Sequence, residues 1–319
     1  TWLYADNVLD GTLSVIRAGS YAGSRTALDE ISVHKPVAVD FRRPMTCRSC
    51  HADSADSTPL GSDVLVELVS GKLQVVNRTF TVTAIVPLTR IPLPPLLLQG
   101  KKLFYASDRP ELSTSRWISC ASCHPDGAMD GRTWLLPAGP RNTPALFGVG
   151  ETLPIHWSGD FADLYEMERG IRRFTFGRGF LADPEQRPLA GRSAELDALV
   201  AYLGALQPLP SPYRTDQEEI GRGAAVFRTA GCAKCHAPPT HTDGKLYDVG
   251  TGDPSREKHV HGTSFDTPTL RGLWFTAPYF HDGSAPTLED VLRTGREHDV
   301  SGRLSTEARR QLVSYLRSL

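Results

Sequence analysis

No run of roughly eighteen apolar residues occurs anywhere in the 319-residue chain, so no segment qualifies as a membrane-spanning helix. The apolar stretch Ile91-Pro92-Leu93-Pro94-Pro95-Leu96-Leu97-Leu98 is short and broken by proline, and reads as a linker lying on a surface. A dominant charge is also lacking. Lys and Arg number 35 against 36 Asp and Glu, a net charge of -1, which gives no basis for a nucleic-acid or anionic-membrane partner. No signal peptide is visible, and the chain opens with Thr1-Trp2. Methionine is scarce, at Met45, Met129 and Met167 only. Cysteine is limited to 6 residues, and all of them fall into three copies of one pattern.

The copies are Cys47-Arg48-Ser49-Cys50-His51, Cys120-Ala121-Ser122-Cys123-His124 and Cys232-Ala233-Lys234-Cys235-His236. C-x-x-C-H is the attachment signature of c-type haem: two thiols add to the vinyl groups and the adjacent His binds iron on the proximal side. Zinc would need four ligands per site, and disulfides would leave the three His unexplained. The pattern predicts three covalently bound haem c groups, on Cys47, Cys50 and His51, on Cys120, Cys123 and His124, and on Cys232, Cys235 and His236. Covalent haem attachment takes place outside the bacterial cytoplasm. A periplasmic or extracellular chain is therefore expected, either mature or a fragment of a longer one.

The chain divides into three parts. Residues 1–98 read as β-rich, with Asp10–Ile16, Ser70–Val76 and Phe80–Val86 each carrying the alternation of a hairpin strand. The first two resemble blades of bacterial repeat β-propellers. Residues 99–212 read as a haem domain, with helical spacing near Gln99–Tyr105, Asp160–Phe174 and Ser193–Leu206, closed by the linker Pro208-Leu209-Pro210-Ser211-Pro212. Residues 213–319 read as a second haem domain. Thr215 and Glu218 have the spacing of a capping box ahead of a helix that leads into the third motif, and a last helix starts near Ser305. The expected fold is mainly α: two cytochrome c-type haem domains behind a β-rich segment that carries a third haem.

Over residues 99–319 the sequence resembles the bacterial di-haem cytochrome c peroxidases and the related di-haem enzyme that matures methylamine dehydrogenase. The resemblance rests on Ser119–His124, Arg141-Asn142-Thr143-Pro144-Ala145-Leu146 and Trp157-Ser158-Gly159-Asp160 in the first haem domain. In the second it rests on Phe265–Arg271, Thr276–Ser284 and Thr287–Val291. It implies that Trp157 lies between the two haems as an electron relay, and that Asn142, Thr276 and Pro278 hold a calcium ion between the domains. Three functional positions depart from the family. Its distal His falls at Pro140, its active-site Gln and Glu fall near Met167 and Gly177, and the distal ligand of its second haem falls at Gly295.

The remaining His and Met residues compete for the sixth iron positions. His298, three residues past Gly295, is the choice for the third haem. His156 is the choice for the second, with a distal acid/base role over an open iron as its alternative and Met129 as a rival. His34 is preferred to Met45 for the first. Two strong axial ligands make an iron that only passes electrons, whereas an open position admits peroxide. Because the family's acid/base residues are missing, the sequence favours a tri-haem electron-transfer protein, a subunit or partner of a redox complex. The alternative is a di-haem-type peroxidase or peroxide-dependent oxidase using His156 and Trp157.

Overall fold

The computed structural model describes residues 93–116 and 118–319 in full, preceded by the backbone of six strands. These are β1 (Trp2–Asn7), β2 (Thr12–Arg17), β3 (Asp29–Val33), β4 (Asp63–Glu67), β5 (Lys72–Val76) and β6 (Val82–Pro87). They form two antiparallel three-stranded sheets, ordered β1-β2-β3 and β4-β5-β6. The propeller resemblance is carried no further than this pairing. The first haem motif, Cys47, Cys50 and His51, lies outside the described residues, as do His34 and Met45.

Seven α-helices follow among the described residues: α1 (Pro95–Tyr105), α2 (Cys120–Cys123), α3 (Met167–Phe174), α4 (Ala194–Gly204), α5 (Gln217–Thr229), α6 (Leu288–Val291) and α7 (Thr306–Ser318). Two short hairpins accompany them, β7 (Thr133–Leu136) with β8 (Gly139–Asn142), and β9 (Leu246–Tyr247) with β10 (Phe265–Asp266). None of the described helices is long and apolar enough to cross a membrane.

Two of the sequence expectations are corrected here. The apolar stretch before residue 99 is the start of α1 rather than a surface linker. Pro95 sits in the first turn of the helix, where its fixed φ fits and its missing N–H has no partner to lose. At α5 the cap is Asp216, whose side chain accepts from the Glu219 N–H at 2.9 Å, rather than Thr215. Aspartate adds a full charge at the positive end of the helix, which threonine does not.

The helices build two similar packing units. In the first, Leu103, Phe104, Leu196, Leu199 and Leu203 are buried where α1 crosses α4. In the second, Phe227, Leu312, Val313 and Leu316 are buried where α5 crosses α7. Each such side chain contributes about 1.5–3 kcal/mol on burial. Both crossings hinge on a glycine. A Cβ on Gly100 would lie 1.9 Å from the Ala198 carbonyl oxygen, and one on Gly223 would lie 2.0 Å from that of Gln311. Tyr202 and Tyr315 close the two contacts from the partner helices. Backbone can approach backbone this closely only where no Cβ intervenes.

The α5–α7 crossing yields a test on a single helix. Gly223→Val forces the helices apart and should cost about 3 kcal/mol or more. Gly221, one residue pair earlier, faces open space. Gly221→Ala should therefore raise stability by up to about 1 kcal/mol. Urea unfolding of the haem-loaded protein measures both.

Candidate haem sites

The second haem motif is itself a short helix. Ser119 and Ser122 cap α2 reciprocally, with the Ser119 N–H donating to Ser122 Oγ at 3.0 Å. One helical turn puts Cys120 and Cys123 on one face, and the chain then turns at His124. The thiols are not bridged to each other. Burial pushes Cys120 up to about 12 and Cys123 to about 11, so both stay protonated. His124 is driven down to about 4 by burial, with the carbonyls of Ala128 and Pro144 pulling the other way. A neutral imidazole is the form that binds a metal. Cys120 packs against the core that holds Ala121, Phe104 and Leu199.

The third motif follows α5 directly. Gly231, at φ 86°, turns the chain into a 3₁₀ turn over Cys232–Lys234. His236 is driven down to about 4, again mainly by burial. Its Nδ1 faces the carbonyl of His241 at 3.2 Å, which fixes the N–H there and leaves Nε2 for iron. His241 itself is buried, with its Nε2 3.3 Å from the Tyr315 hydroxyl, so its backbone buttresses the proximal side.

His298 stands across from His236, with ring centres 6.3 Å apart and planes at 48°. Two imidazoles on one iron, with metal–nitrogen bonds of about 2 Å, place their ring centres roughly 6 Å apart. Phe280 packs on His298 at 5.6 Å. The family's ligand position, Gly295, has φ 77°, and a Cβ there would come within 2.6 Å of the Val249 carbonyl. A ligand side chain has no room at 295.

Further observations fit haem. Arg271 Nε and Nη2 and Trp274 Nε1 are buried donors without an acceptor, as the carboxylates of a haem would supply. The remaining Arg271 nitrogen, Nη1, pairs with Glu151 at 2.7 Å.

The two units meet at a polar seam. The Trp157 indole donates to the Asn142 carbonyl at 2.8 Å, and the Trp157 carbonyl accepts from the Asp266 N–H at 2.8 Å. Trp157 thus links β8 to β10. The Asn142 N–H donates to the His281 carbonyl at 2.5 Å. His281 is fully buried, stacked on Phe265 at 3.8 Å and 6.4 Å from the Trp157 ring. Its Nε2 lies 3.1 Å from Glu257 Oε1. The other oxygen, Glu257 Oε2, accepts from Arg141 at 2.8 Å and lies 3.6 Å from His259 Nε2. The sequence offers no sign of this buried Arg141–Glu257–His281 group beyond the adjacency of Arg141 and Asn142.

Of the candidate calcium residues, Asn142 and Pro278 are brought together. The Asn142 side-chain amide lies 2.5 Å from the Pro278 carbonyl oxygen and 3.4 Å from that of Phe280. Asn142 Oδ1 is buried with no donor. The side-chain nitrogen donates to these two carbonyls, and the carbonyls together with Oδ1 are oxygens of the kind a hard cation takes. Thr276 follows the half-buried Trp274–Phe275 pair, two residues ahead of Pro278.

The vacated family positions are structurally committed. Pro140 is buried in β8 opposite Leu135. Met167 packs on the first core. A Cβ on Gly177 would stand 2.3 Å from the Glu111 carbonyl oxygen. Met129 is turned into its own loop, its sulfur accepting from the Gly131 N–H at 3.0 Å. Among the described residues no ring stands opposite His124 as His298 stands opposite His236. His156 is held beside the first core, its ring 4.0 Å from Phe161 and 5.4 Å from Phe174. Its Nδ1 lies 3.1 Å from Asp160 Oδ1. Burial works to raise the Asp160 pKa, but hydrogen bonds from His156 and Ser158 outweigh it and hold the carboxyl well below the usual range.

Comparison with known proteins agrees with this geometry. A family model described as RoxA-like, cytochrome c-like matches residues 264–299. Methylamine utilization protein MauG of Methylophilus methylotrophus is 30% identical over 254 residues, covering 64% of this chain and 75% of that protein. Cytochrome c551 peroxidase of Nitrosomonas europaea is 25% identical over 276 residues, covering 69% of this chain and 78% of that protein. A hydrazine synthase structure from Kuenenia stuttgartiensis shares the fold, with a TM-score of 0.56 and 24% identity over 72% of this chain and 90% of the matched one. These relatives weigh for the peroxidase-type alternative over the tri-haem electron carrier that the sequence favoured. The chain belongs to the family of bacterial di-haem cytochrome c peroxidases and MauG proteins.

Proposed function

We propose that the chain is a peroxide-using haem oxidoreductase in which the haem on His124 reacts and the haem on His236 stores and delivers electrons. The asymmetry between the two proximal histidines carries this reading. His236 faces a second imidazole at 6.3 Å, whereas His124 has no such partner among the described residues. When bound, the haems supply the electrophilic iron and the electrons. His156 supplies the proton traffic: with Nδ1 on Asp160, its Nε2 is free to take a proton from one peroxide oxygen and return it to the other. Trp157, bonded to β8 and β10 at the seam, is the relay between the units. A redox partner protein supplies the electrons.

The same reading puts a third haem on Cys47, Cys50 and His51, with His34 as its candidate sixth ligand, and the chain in the periplasm or outside the cell. Residues 1–98, 99–212 and 213–319 serve as its three parts. Calcium bound by Asn142, Thr276 and Pro278 ties the two haem domains together.

Paramagnetic-resonance spectra of the oxidised protein test the assignment. One high-spin ferric signal that responds to cyanide or peroxide is expected, together with two low-spin signals, one from the His236–His298 pair and one from the haem on His51. His298→Ala should turn the low-spin signal of that pair high-spin and leave the cyanide-responsive signal unchanged. If every signal is low-spin and indifferent to cyanide, before and after one-electron reduction, the chain is an electron carrier. Intact mass should exceed that of the polypeptide by three haems. Calcium removal by a chelator should slow electron transfer between the haem units in stopped-flow traces, with recovery on adding calcium back. Asn142→Ala should mimic the chelated protein.

A further inference from the structure

The family's own distal acid/base positions are occupied by Pro140, Met167 and Gly177, so a proton-handling group has to be held in place by other means. We propose that Asp160 is a positioning residue that fixes the ring orientation and tautomer of His156, with Arg173 and Ser158 anchoring Asp160. This deepens the proposed function and rests on His156 acting as its proton-handling group.

Four observations converge on it. First, the backbone folds back on itself at this point. Ile155 and Phe161 form a bridge, with the Ile155 N–H donating to the Phe161 carbonyl at 2.9 Å, and the Gly159 N–H donates to the His156 carbonyl at 3.0 Å. His156 at φ 71° and Gly159 at φ 57° make the reversal. A left-handed conformation is uncommon outside glycine, and a non-glycine residue held in it marks a constrained site.

Second, the reversal brings Asp160 Oδ1 to 3.1 Å from His156 Nδ1. A carboxylate at Nδ1 keeps the proton on that nitrogen and leaves Nε2 as the lone-pair base. Third, the carboxylate is itself held on both oxygens. Ser158 Oγ donates to Oδ1 at 2.7 Å, and Arg173 Nη1 reaches Oδ2 at 3.3 Å from α3. Fourth, Phe161 and Phe174 flank the imidazole, so the ring does not turn freely. His156 and Asp160 each keep about a quarter of their side-chain surface exposed, so small molecules can reach the ring while the aromatic flanks and the second anchor hold it. Ring contact, tautomer and orientation are set together, as proton transfer needs.

The test uses the holoprotein and follows two rates by stopped flow, reaction with peroxide and association of cyanide. Hydrogen cyanide, like peroxide, must lose a proton to bind. Asp160→Asn keeps size and removes the charge. It should slow both rates about 10- to 100-fold with haem content and resting spectrum unchanged. Asp160→Glu should recover part of the loss and covers the case in which the asparagine variant fails to load haem. His156→Gln should slow both rates at least as much. Adding Asp160→Asn to it should give no further loss, because the two residues act as one unit. Losses that add in the double variant would make Asp160 merely structural and overturn the proposal. So would a slow His156→Gln beside a normal Asp160→Asn, which leaves the proposed function standing. Unchanged rates in His156→Gln would overturn both together.

Discussion

Two imidazoles with ring centres 6.3 Å apart define what the second haem unit is for. The distance is that of a bis-histidine iron, and the surrounding chain is arranged to keep it. On the proximal side, the His241 carbonyl holds His236 by Nδ1, and Tyr315 on α7 holds His241. On the far side, the turn from Leu292 to Val300 closes with the Val300 N–H on the Leu292 carbonyl at 3.1 Å and carries His298. Gly295 within that turn is pressed against Val249, where a ligand side chain has no room, and His298 is the ring that the turn presents to His236. An iron saturated in this way exchanges electrons and excludes peroxide. In the proposed function, reactive chemistry is then left to the unit around His124.

The two units act together only if the seam between them is rigid. Its polar groups are buried, and a buried polar group without a partner costs about 1–3 kcal/mol. Most of them are therefore matched: Trp157 to Asn142 and Asp266, Asn142 to His281, His281 to Glu257, Glu257 to Arg141. Three of these contacts cross between the units: Asp266 to Trp157, Asn142 to His281 and Arg141 to Glu257. Breaking one leaves a buried acceptor or charge uncompensated, so sliding of the units is resisted. Trp157 lies within this lattice, where its orientation toward both units is fixed by two hydrogen bonds.

Much of this was legible in sequence because it is written in local patterns. C-x-x-C-H names its own ligands, and Ser193 and Ser305 mark the starts of α4 and α7 as caps do. His298 drew notice in the sequence because a potential ligand stood three residues from a vacant family position, and the structure sets its ring 6.3 Å from that of His236. The α1 start was misread because proline was taken as a breaker when it occupied a first-turn position. Thr215 was preferred to Asp216 because two cap candidates stood side by side, and spacing alone does not rank them. The Glu257 group was invisible, since Arg141, Glu257 and His281 are more than a hundred residues apart at the extremes and meet only through tertiary packing. Asp160 was visible in the Trp157–Asp160 run, but its partner His156 was weighed only as an iron ligand or a lone base.

The missing acid/base residues first argued for a wire. Packing changes the weight of that argument. Pro140 is in strand β8, Met167 packs on the first core and Gly177 leaves no room for any side chain, so each of the three positions is committed to packing. A chain that had merely lost its chemistry would have no reason to keep a histidine at φ 71°, flanked by two aromatics and tied to a doubly anchored carboxylate. Strain of this kind costs about 1–3 kcal/mol and persists where the surroundings enforce it. The surroundings here are Asp160, Ser158 and Arg173, residues that contribute little to either hydrophobic core. Together they hold one imidazole in a fixed orientation, and in the proposed function that ring is the proton-handling group that peroxide chemistry requires and electron transfer does not.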